Sequence, residues 1–130
     1  MKYEKIENFS LTLDYQTVYE QNKSKEILHK FTFGFNNSRV EVKITIDDEI
    51  VLEENLWDYL ALTGLTKPSN SGTGNTYSDI SDFFEWSSNK YAWVPSQPVE
   101  IENHIKIEMR RTQNPPNIAL EYGILAWSKV

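Results

Sequence analysis

The chain of 130 residues contains no cysteine, and this absence excludes several kinds of chemistry. Disulfide bonds, zinc sites built on thiolates and thiol nucleophiles all require a cysteine side chain. The compartment stays open, because a domain of this length buries roughly two thirds of its unfolded surface and needs no disulfide to be stable. We therefore expect a single globular domain over residues 1–130, stabilised by an apolar core.

Long apolar runs are missing too. No stretch of the sequence approaches the about 20 apolar residues that a membrane-spanning helix needs. The start of the chain carries Lys2, Glu4, Lys5 and Glu7, where a secretory signal peptide would need an apolar segment. These features predict a cytoplasmic protein, with a secreted chain that has lost its leader as the alternative.

Positive charge is scarce. The sequence has 13 lysines and arginines against 19 carboxylates, a formal net charge of −6, and its arginines are Arg39, Arg110 and Arg111 alone. Nucleic acids and anionic membranes are bound mainly through clusters of lysine and arginine. The composition therefore predicts that neither is a partner of this protein.

Motifs for catalysis or for cofactor binding are also missing. Gly72 and Gly74 suggest a phosphate-binding loop, but the Lys-Ser/Thr pair that a P-loop needs does not follow them. No Gly-x-Ser-x-Gly turn occurs, and the only histidines are His29 and His104. The sequence thus favours a non-enzymatic protein without a cofactor. A triad assembled in space, or a pair of carboxylates, is the enzymatic alternative.

One acidic turn resembles a cation site in composition. Asp47, Asp48 and Glu49, with Glu53 and Glu54 nearby, carry the oxygen ligands that calcium prefers. The spacing of an EF-hand loop is absent, because no glycine stands at its sixth position. We therefore interpret the turn as solvated, or as part of a partner-binding face, and expect no metal.

Apolar side chains recur at every second position through most of the chain, which is typical of strands with one buried face. The alternation covers residues 9–20, 27–35 and 40–46, with 50–52 continuing it, and it returns over 99–109 and 118–127. We predict a mainly β fold: an antiparallel sheet or sandwich of about six to eight strands. The first four segments are expected to form a meander.

The alternation also predicts which side chains share a face. His29 falls in one row with Ile27, Phe31 and Phe33, which predicts a buried or half-buried histidine. The last strand is nearly apolar on both sides, as in the centre of a sheet. Its predicted row consists of Leu120, Tyr122, Ile124 and Ala126.

The pattern becomes helical after Asn55, which suits the N-cap of a helix. Apolar residues at helical spacing predict a helix over residues 55–63, and a second short helix is predicted over residues 79–86. Residues 66–76 show no apolar periodicity. We expect them to form the most mobile internal segment, because little burial opposes local opening there.

Negative charge is concentrated in one third of the chain. Residues 44–89 hold nine of the 19 carboxylates and one cation, Lys67, whereas the rest carries 12 cations and ten carboxylates. An acidic field of this kind attracts basic partners. The nine carboxylates belong to Asp47, Asp48, Glu49, Glu53, Glu54, Asp58, Asp79, Asp82 and Glu85.

Aromatic residues are dense in the same part of the sequence. The core is the first explanation for them, but exposed tryptophan and tyrosine also anchor protein interfaces and form the stacking platforms of sugar-binding modules. Trp86, Tyr91 and Trp93 flank a polar turn at residues 87–90, where full burial is harder. Together with Tyr77 they are the aromatic candidates for contact with a partner.

These patterns predict a non-enzymatic acidic protein that occludes a basic protein partner, in the manner of an inhibitor or immunity protein acting against a nuclease or toxin. The alternatives are a carbohydrate-binding or ligand-binding β-sandwich module and a structural subunit of a larger assembly. The predicted partner-binding residues are Asp47, Asp48, Glu49, Glu53, Glu54, Asp58, Asp79, Asp82, Glu85, Tyr77, Trp86, Tyr91 and Trp93.

Overall fold

A computed structural model of the chain describes residues 1–37, 39–56, 76–77, 83–87, 89–95, 97–113 and 117–130, with the backbone alone at 54, 76–77 and 83–87. These residues form twelve β-strands. The strands are β1 (Lys2–Ile6), β2 (Phe9–Ser10), β3 (Gln16–Asn22), β4 (Glu26–Phe35), β5 (Val40–Ile46), β6 (Glu49–Asn55), β7 (Thr76–Tyr77), β8 (Phe83–Ser87), β9 (Lys90–Trp93), β10 (Val99–Ile101), β11 (His104–Arg111) and β12 (Ala119–Lys129).

The strands form two antiparallel sheets. Sheet A has the order β1-β12-β4-β9-β8-β7, with β2 added beside β12 and β10 beside β4, and sheet B has the order β3-β11-β5-β6. The predicted mainly β fold with antiparallel sheets is confirmed. The strand number exceeds the prediction because the alternating segments 9–20 and 99–109 each form two strands, and because β1, β7, β8 and β9 lie outside the alternating segments.

The inner faces of the two sheets share one apolar core, so the fold is a sandwich. Side chains from both sheets belong to a single buried cluster. Its fully buried members include Phe31, Phe33, Tyr91, Leu125 and Trp127 from sheet A, and Val42, Ile44, Ile105, Ile107 and Met109 from sheet B.

The predicted meander of the first four segments is wrong. The chain passes from β3 in sheet B to β4 in sheet A and back to β5 in sheet B. Among the strands of these four segments, only β5 and β6 are neighbours in both sequence and space. Period-two alternation reports which face of a strand is buried. It does not report which strand lies beside it, because either sheet of a sandwich gives the same pattern.

The long first strand predicted over residues 9–20 is interrupted. Its beginning, β2, pairs with β12 in sheet A, and its end, β3, pairs with β11 in sheet B. Residues 11–15 cross between the sheets. The Leu11 N–H donates to the Ile118 carbonyl over 2.9 Å, and Arg111 donates to the Leu11 carbonyl over 3.1 Å. Where the chain crosses between the sheets, hydrogen bonds with residues distant in sequence therefore replace the strand-to-strand hydrogen bonds.

Two β-bulges change the predicted rows of side chains. In β4 the pairing with β12 shifts at His29, so the buried residue before Phe31 is Leu28 rather than Ile27. His29 is half-buried, as predicted. In β12 a second shift follows Leu120. The inner row continues as Gly123, Leu125 and Trp127, not as Tyr122, Ile124 and Ala126. The predicted central position of β12, between β1 and β4, is confirmed.

The second predicted helix, over residues 79–86, is wrong for its described part. Residues 83–87 form strand β8, which pairs antiparallel with β9. Phe83, Phe84 and Trp86 belong to the residue types that favour strands, and Asn89 turns the chain with a positive φ of 58°. The first predicted helix begins where β6 ends at Asn55. Residues 57–63 and residues 66–75 of the predicted mobile segment lie outside the described residues, whereas its last residue, Thr76, belongs to strand β7.

A nearly buried ion cluster closes the side of the sandwich where β1 faces β3. The Lys23 side chain is 6% exposed, and its Nζ lies 3.0 Å from Glu4 and 3.5 Å from Glu26. The Tyr19 hydroxyl donates to Glu4 over 2.8 Å, and the lysine lies 4.3 Å from the centre of the Trp127 ring. Burial alone would raise the pKa of Glu4, but the hydrogen bonds from Lys23 and Tyr19 outweigh it and the pKa is lowered.

Gly34 makes room for an aromatic ring on the outer side of sheet A. It pairs with Tyr122 of the neighbouring strand, and a Cβ on Gly34 would lie 2.5 Å from Cε1 of that tyrosine. Non-bonded carbon atoms clash at this distance, so an alanine at this position would force the tyrosine ring or the strand to move. The missing side chain therefore lets the half-buried ring of Tyr122 lie across β4.

Replacing Gly34 by alanine should lower the free energy of unfolding by about 1 kcal/mol, because the Tyr122 ring loses its place on the strand. In a Tyr122→Ala background the same change should be neutral or stabilising by up to about 1 kcal/mol, since alanine restricts the unfolded chain more than glycine. Chemical denaturation of the four proteins measures this coupling. An equal cost in both backgrounds would contradict the packing described.

Candidate protein-docking site

The turn between β5 and β6 is a tight hairpin. Ile46 pairs with Glu49, which leaves a loop of two residues, Asp47 and Asp48. Both have positive φ, 50° and 67°, the conformation of a type I′ turn. Aspartate tolerates this region better than most residues, and a turn of this type matches the twist of the two strands. The acidic turn recognised in the sequence is therefore a rigid hairpin tip.

Asp47 fixes this tip to the rest of the fold. Its carboxylate accepts backbone N–H bonds from Glu102 at 3.0 Å and Asn103 at 2.8 Å, in the turn between β10 and β11, and from His104 at 3.0 Å, at the start of β11. Its own N–H donates to the His104 carbonyl over 2.9 Å. These backbone bonds lower the pKa of the Asp47 carboxyl, the bond from Glu102 most. Asp47 is thus a structural anchor rather than a group available to a partner.

The exposed surface of the hairpin combines carboxylates with aliphatic side chains. Asp48, Glu49 and Glu53 are exposed, and between them Ile50 and Val51 are 54% and 39% exposed. We call these five residues the acidic hairpin. Apolar side chains of this size are usually buried, so two adjacent exposed ones within a group of carboxylates mark a candidate docking surface.

The acidic field does not extend over the whole outer face of sheet B. Lys43 on β5 lies 3.9 Å from both Glu53 and Glu108, and Lys106 lies 3.9 Å from Glu108. Arg110 forms a bidentate ion pair with a carboxylate of β5. Cations from other parts of the sequence therefore neutralise the middle of this face. At the hairpin, Asp48 and Glu49 are the described carboxylates without a cation beside them, whereas Glu53 lies next to Lys43.

The carboxylate bonded to Arg110 belongs to Glu41, whose Oε1 and Oε2 lie 3.0 and 3.1 Å from the guanidinium. The Tyr15 hydroxyl donates to the same carboxylate over 2.9 Å. The hydrogen bonds from Arg110, first, and from Tyr15 lower the pKa of Glu41 despite partial burial. This cluster connects the crossing segment at residues 11–15 to β5 and β11, so its role is structural. Sequence reasoning missed it, because its members are far apart in the chain.

Two predicted aromatic anchors are buried. Tyr91 is fully buried and Trp93 is 7% exposed, and in the pairing of β9 with β4 they stand opposite Phe33 and Phe31. The ring of Tyr91 stacks on Phe33 with 5.7 Å between centroids. The expectation that these two side chains are exposed is wrong. The polar turn before them connects β8 to β9, but it does not determine which face of β9 points into the core.

The other predicted site residues divide into two groups. Asp58, Asp79 and Asp82 lie outside the described residues. Glu54, Tyr77, Glu85 and Trp86 lie in strands β6, β7 and β8, where the backbone alone is described. The exposed residues that sequence reasoning missed are Ile50 and Val51. In the sequence these two residues stand as an apolar pair between carboxylates. That pattern predicts a continuation of the sheet and does not indicate that the pair is exposed.

The two histidines do not form a catalytic triad within the described residues. His29 Nε2 lies 2.5 Å from the Ser128 hydroxyl, but no described carboxylate is hydrogen-bonded to this histidine. His104 Nε2 lies 2.8 Å from Glu20 at the surface of sheet B. Histidine, aspartate and glutamate side chains of the described ranges also form no group of three or more that could hold a metal ion.

No family profile matches the chain, and no curated protein matches it. Within the described ranges, no helix has the length and apolar character needed to cross a membrane.

Replacing Asp47 by asparagine should lower the free energy of unfolding at pH 7 by about 1–2 kcal/mol, because three backbone donors lose a charged acceptor at a partly exposed site. The lowered pKa of Asp47 means that its contribution is present above the ordinary pKa of about 3.9 and is lost as the pH falls through the folded-state value. The difference between wild type and Asp47→Asn should therefore shrink in acid.

Asp48→Asn is the matched control, since it makes the same charge change at a neighbouring position of positive φ. We expect it to alter stability by less than about 0.5 kcal/mol. Urea denaturation of the three proteins from pH 7 down to pH 3 measures both effects. If both variants lost the same free energy of unfolding, the hydrogen bonds accepted by Asp47 would make no special contribution to stability.

Proposed function

We propose that this chain is a non-enzymatic binding protein whose acidic hairpin docks on a basic surface of another protein. In its finer form the proposal is that docking occludes the partner, as an inhibitor or immunity protein occludes a nuclease or toxin. The supporting observation is the group of three exposed carboxylates around Ile50 and Val51, on a hairpin tip fixed by Asp47.

The two kinds of side chain would contribute differently. An exposed ion pair contributes only about 0–1 kcal/mol to affinity, because water screens it and two long side chains lose freedom. The carboxylates would therefore act mainly on encounter, by raising the association rate with a basic patch. Ile50 is 54% exposed, so burying the rest of its side chain would contribute about half of the roughly 1.5–3 kcal/mol of full burial, and this part would slow dissociation.

Rigidity of the hairpin also supports the proposal. A surface that is ordered before binding loses little conformational entropy when the complex forms. The turn has two residues, and its anchor Asp47 accepts three backbone hydrogen bonds, so the orientation of the tip is set by the fold. The aliphatic pair takes the anchoring role first assigned to Tyr91 and Trp93. Burial of these two aromatics also removes them as stacking platforms for a sugar.

A paired charge reversal tests the proposal. Glu49→Lys/Glu53→Lys changes two exposed strand residues and leaves Asp47 and the positive-φ position Asp48 unchanged. Glu7→Lys/Asp14→Lys makes the same change in net charge at two exposed positions outside the hairpin. Affinity capture from lysate with each protein, followed by quantitative mass spectrometry, identifies partners that are lost with the first variant and kept with the second.

The partner selected in this way should be basic, and its association with wild type should slow steeply as salt is added. We expect the hairpin reversal to lower the association rate at least tenfold, and Ile50→Ser to raise the dissociation rate about tenfold. Surface-plasmon kinetics at several salt concentrations measure both. If both reversal variants lose binding equally, net charge rather than the hairpin is responsible, and the proposal fails.

A further inference from the structure

The outer face of sheet A carries a second unusual surface. Its outward side chains form rows across neighbouring strands, because antiparallel pairing places their Cα atoms opposite one another. Tyr3, Ala126 and Lys30 form one row, and Lys5, Ile124 and Thr32 form the next. Tyr3 is 68% exposed and Ile124 is 38% exposed, and both lysines are exposed. We call Tyr3, Lys5, Lys30 and Ile124 the tyrosine–lysine face.

The charge of this face is opposite to that of the acidic hairpin. Lys90 adds a third cation in the following row, where it pairs with Gly34. The described carboxylates on neighbouring positions are Glu7, two residues after Lys5 and exposed, Glu121, in the bulge of β12, and Glu100, on β10 beside Ile27. They lie outside the two rows that contain the exposed tyrosine and isoleucine. The centre of the face is therefore basic and partly apolar.

Exposed apolar side chains are concentrated on these two surfaces. Among the described residues, the large hydrophobic side chains that are exposed, apart from the two terminal ones, form two neighbouring pairs and two isolated cases. The pairs are Tyr3 with Ile124 and Ile50 with Val51, and the isolated residues are Leu13 and Val94. One apolar pair lies among lysines and the other among carboxylates. Each surface thus presents the complement of the other.

We propose that the acidic hairpin of one copy of this chain docks on the tyrosine–lysine face of a second copy. Asp48, Glu49 and Glu53 would then pair with Lys5 and Lys30, and the aliphatic pair would cover Tyr3 and Ile124. A symmetric contact is disfavoured by charge. Two hairpins together would oppose carboxylates, and two tyrosine–lysine faces would oppose lysines.

The contact must form between copies. The hairpin is at the edge of sheet B, whereas the face is on the side of sheet A that points away from sheet B. One copy therefore offers a hairpin and a face at the same time, and each contact leaves one of each unused. A head-to-tail contact of this kind closes into a ring or continues as a chain.

Repulsion between copies opposes this association, because each carries a formal net charge of −6. At physiological ionic strength exposed charges are screened beyond about 8 Å, so general repulsion weakens more than contacts at hydrogen-bond distance. The surface involved is small on each copy, and small interfaces are typically weak. We therefore expect reversible assembly that increases with concentration.

This inference uses the acidic hairpin of the proposed function but does not need a basic partner. The two are distinguishable, because a chain that stays monomeric and still captures a basic partner overturns self-assembly alone. If both hold, a saturating basic partner should dissociate the assembly, since both occupants contact the same hairpin.

Sedimentation velocity over a concentration series, in buffer of physiological salt, is the test. Wild type and the Glu7→Lys/Asp14→Lys control should show a rising weight-average sedimentation coefficient. Lys5→Glu/Lys30→Glu and Glu49→Lys/Glu53→Lys should each remain monomeric. The quadruple variant, which reverses both surfaces, and an equimolar mixture of the two double variants should associate again, because complementarity is restored.

Three results would overturn the proposal. The first is a wild type that stays monomeric at every concentration, and the second is association that neither reversal changes. The third is that neither the quadruple variant nor the mixture associates. Circular dichroism and thermal unfolding establish that each variant is folded. Should Lys5→Glu/Lys30→Glu fail to fold, Lys5→Gln/Lys30→Gln removes the two charges without adding carboxylates, and wild-type association would again contradict the proposal.

Discussion

Burial of two apolar sheet faces against each other is the constraint on which the rest of this structure depends. One side of every long strand must point into the space between the sheets, and the side chains there are fully buried from Phe31 in sheet A to Ile107 in sheet B. Where a strand has one residue too many for this requirement, a bulge absorbs it, at His29 in β4 and after Leu120 in β12. The bulges keep Leu28, Leu125 and Trp127 inside.

Crossing between the sheets creates the second requirement, since the backbone there leaves the ladder and its polar groups need partners. The structure meets it with single polar side chains from distant parts of the chain. Asp47 holds the β10–β11 turn, Arg110 and Glu41 hold the crossing segment near Tyr15, and Lys23 ties β1 to β3 through Glu4. Several charged residues that look like surface features in the sequence are therefore part of the framework.

Charge that is grouped in the sequence is partly dispersed in space. Lys43 and Arg110 lie beside carboxylates of neighbouring strands, and Lys106 lies beside Glu108 of its own strand, so the sheet B face is mixed. Asp48 and Glu49 at the hairpin tip stay without a cation beside them, and exposed lysines lie on the outer side of sheet A. The two surfaces differ in charge, and each carries a pair of exposed apolar side chains.

The sequence by itself determined the class of fold, the strands with alternating residues, the central position of β12 and the acidic turn at Asp47 and Asp48, because each depends on local patterns of burial and turn chemistry. Only the tertiary structure decided which strands pair, that residues 83–87 form a strand, and that Tyr91 and Trp93 are buried. It also separated Asp47, a structural anchor, from Glu49 and Glu53, which are exposed. The physical reason is that pairing and hydrogen-bond partners are set by residues tens of positions away, whereas alternation reports only the two faces of a single strand.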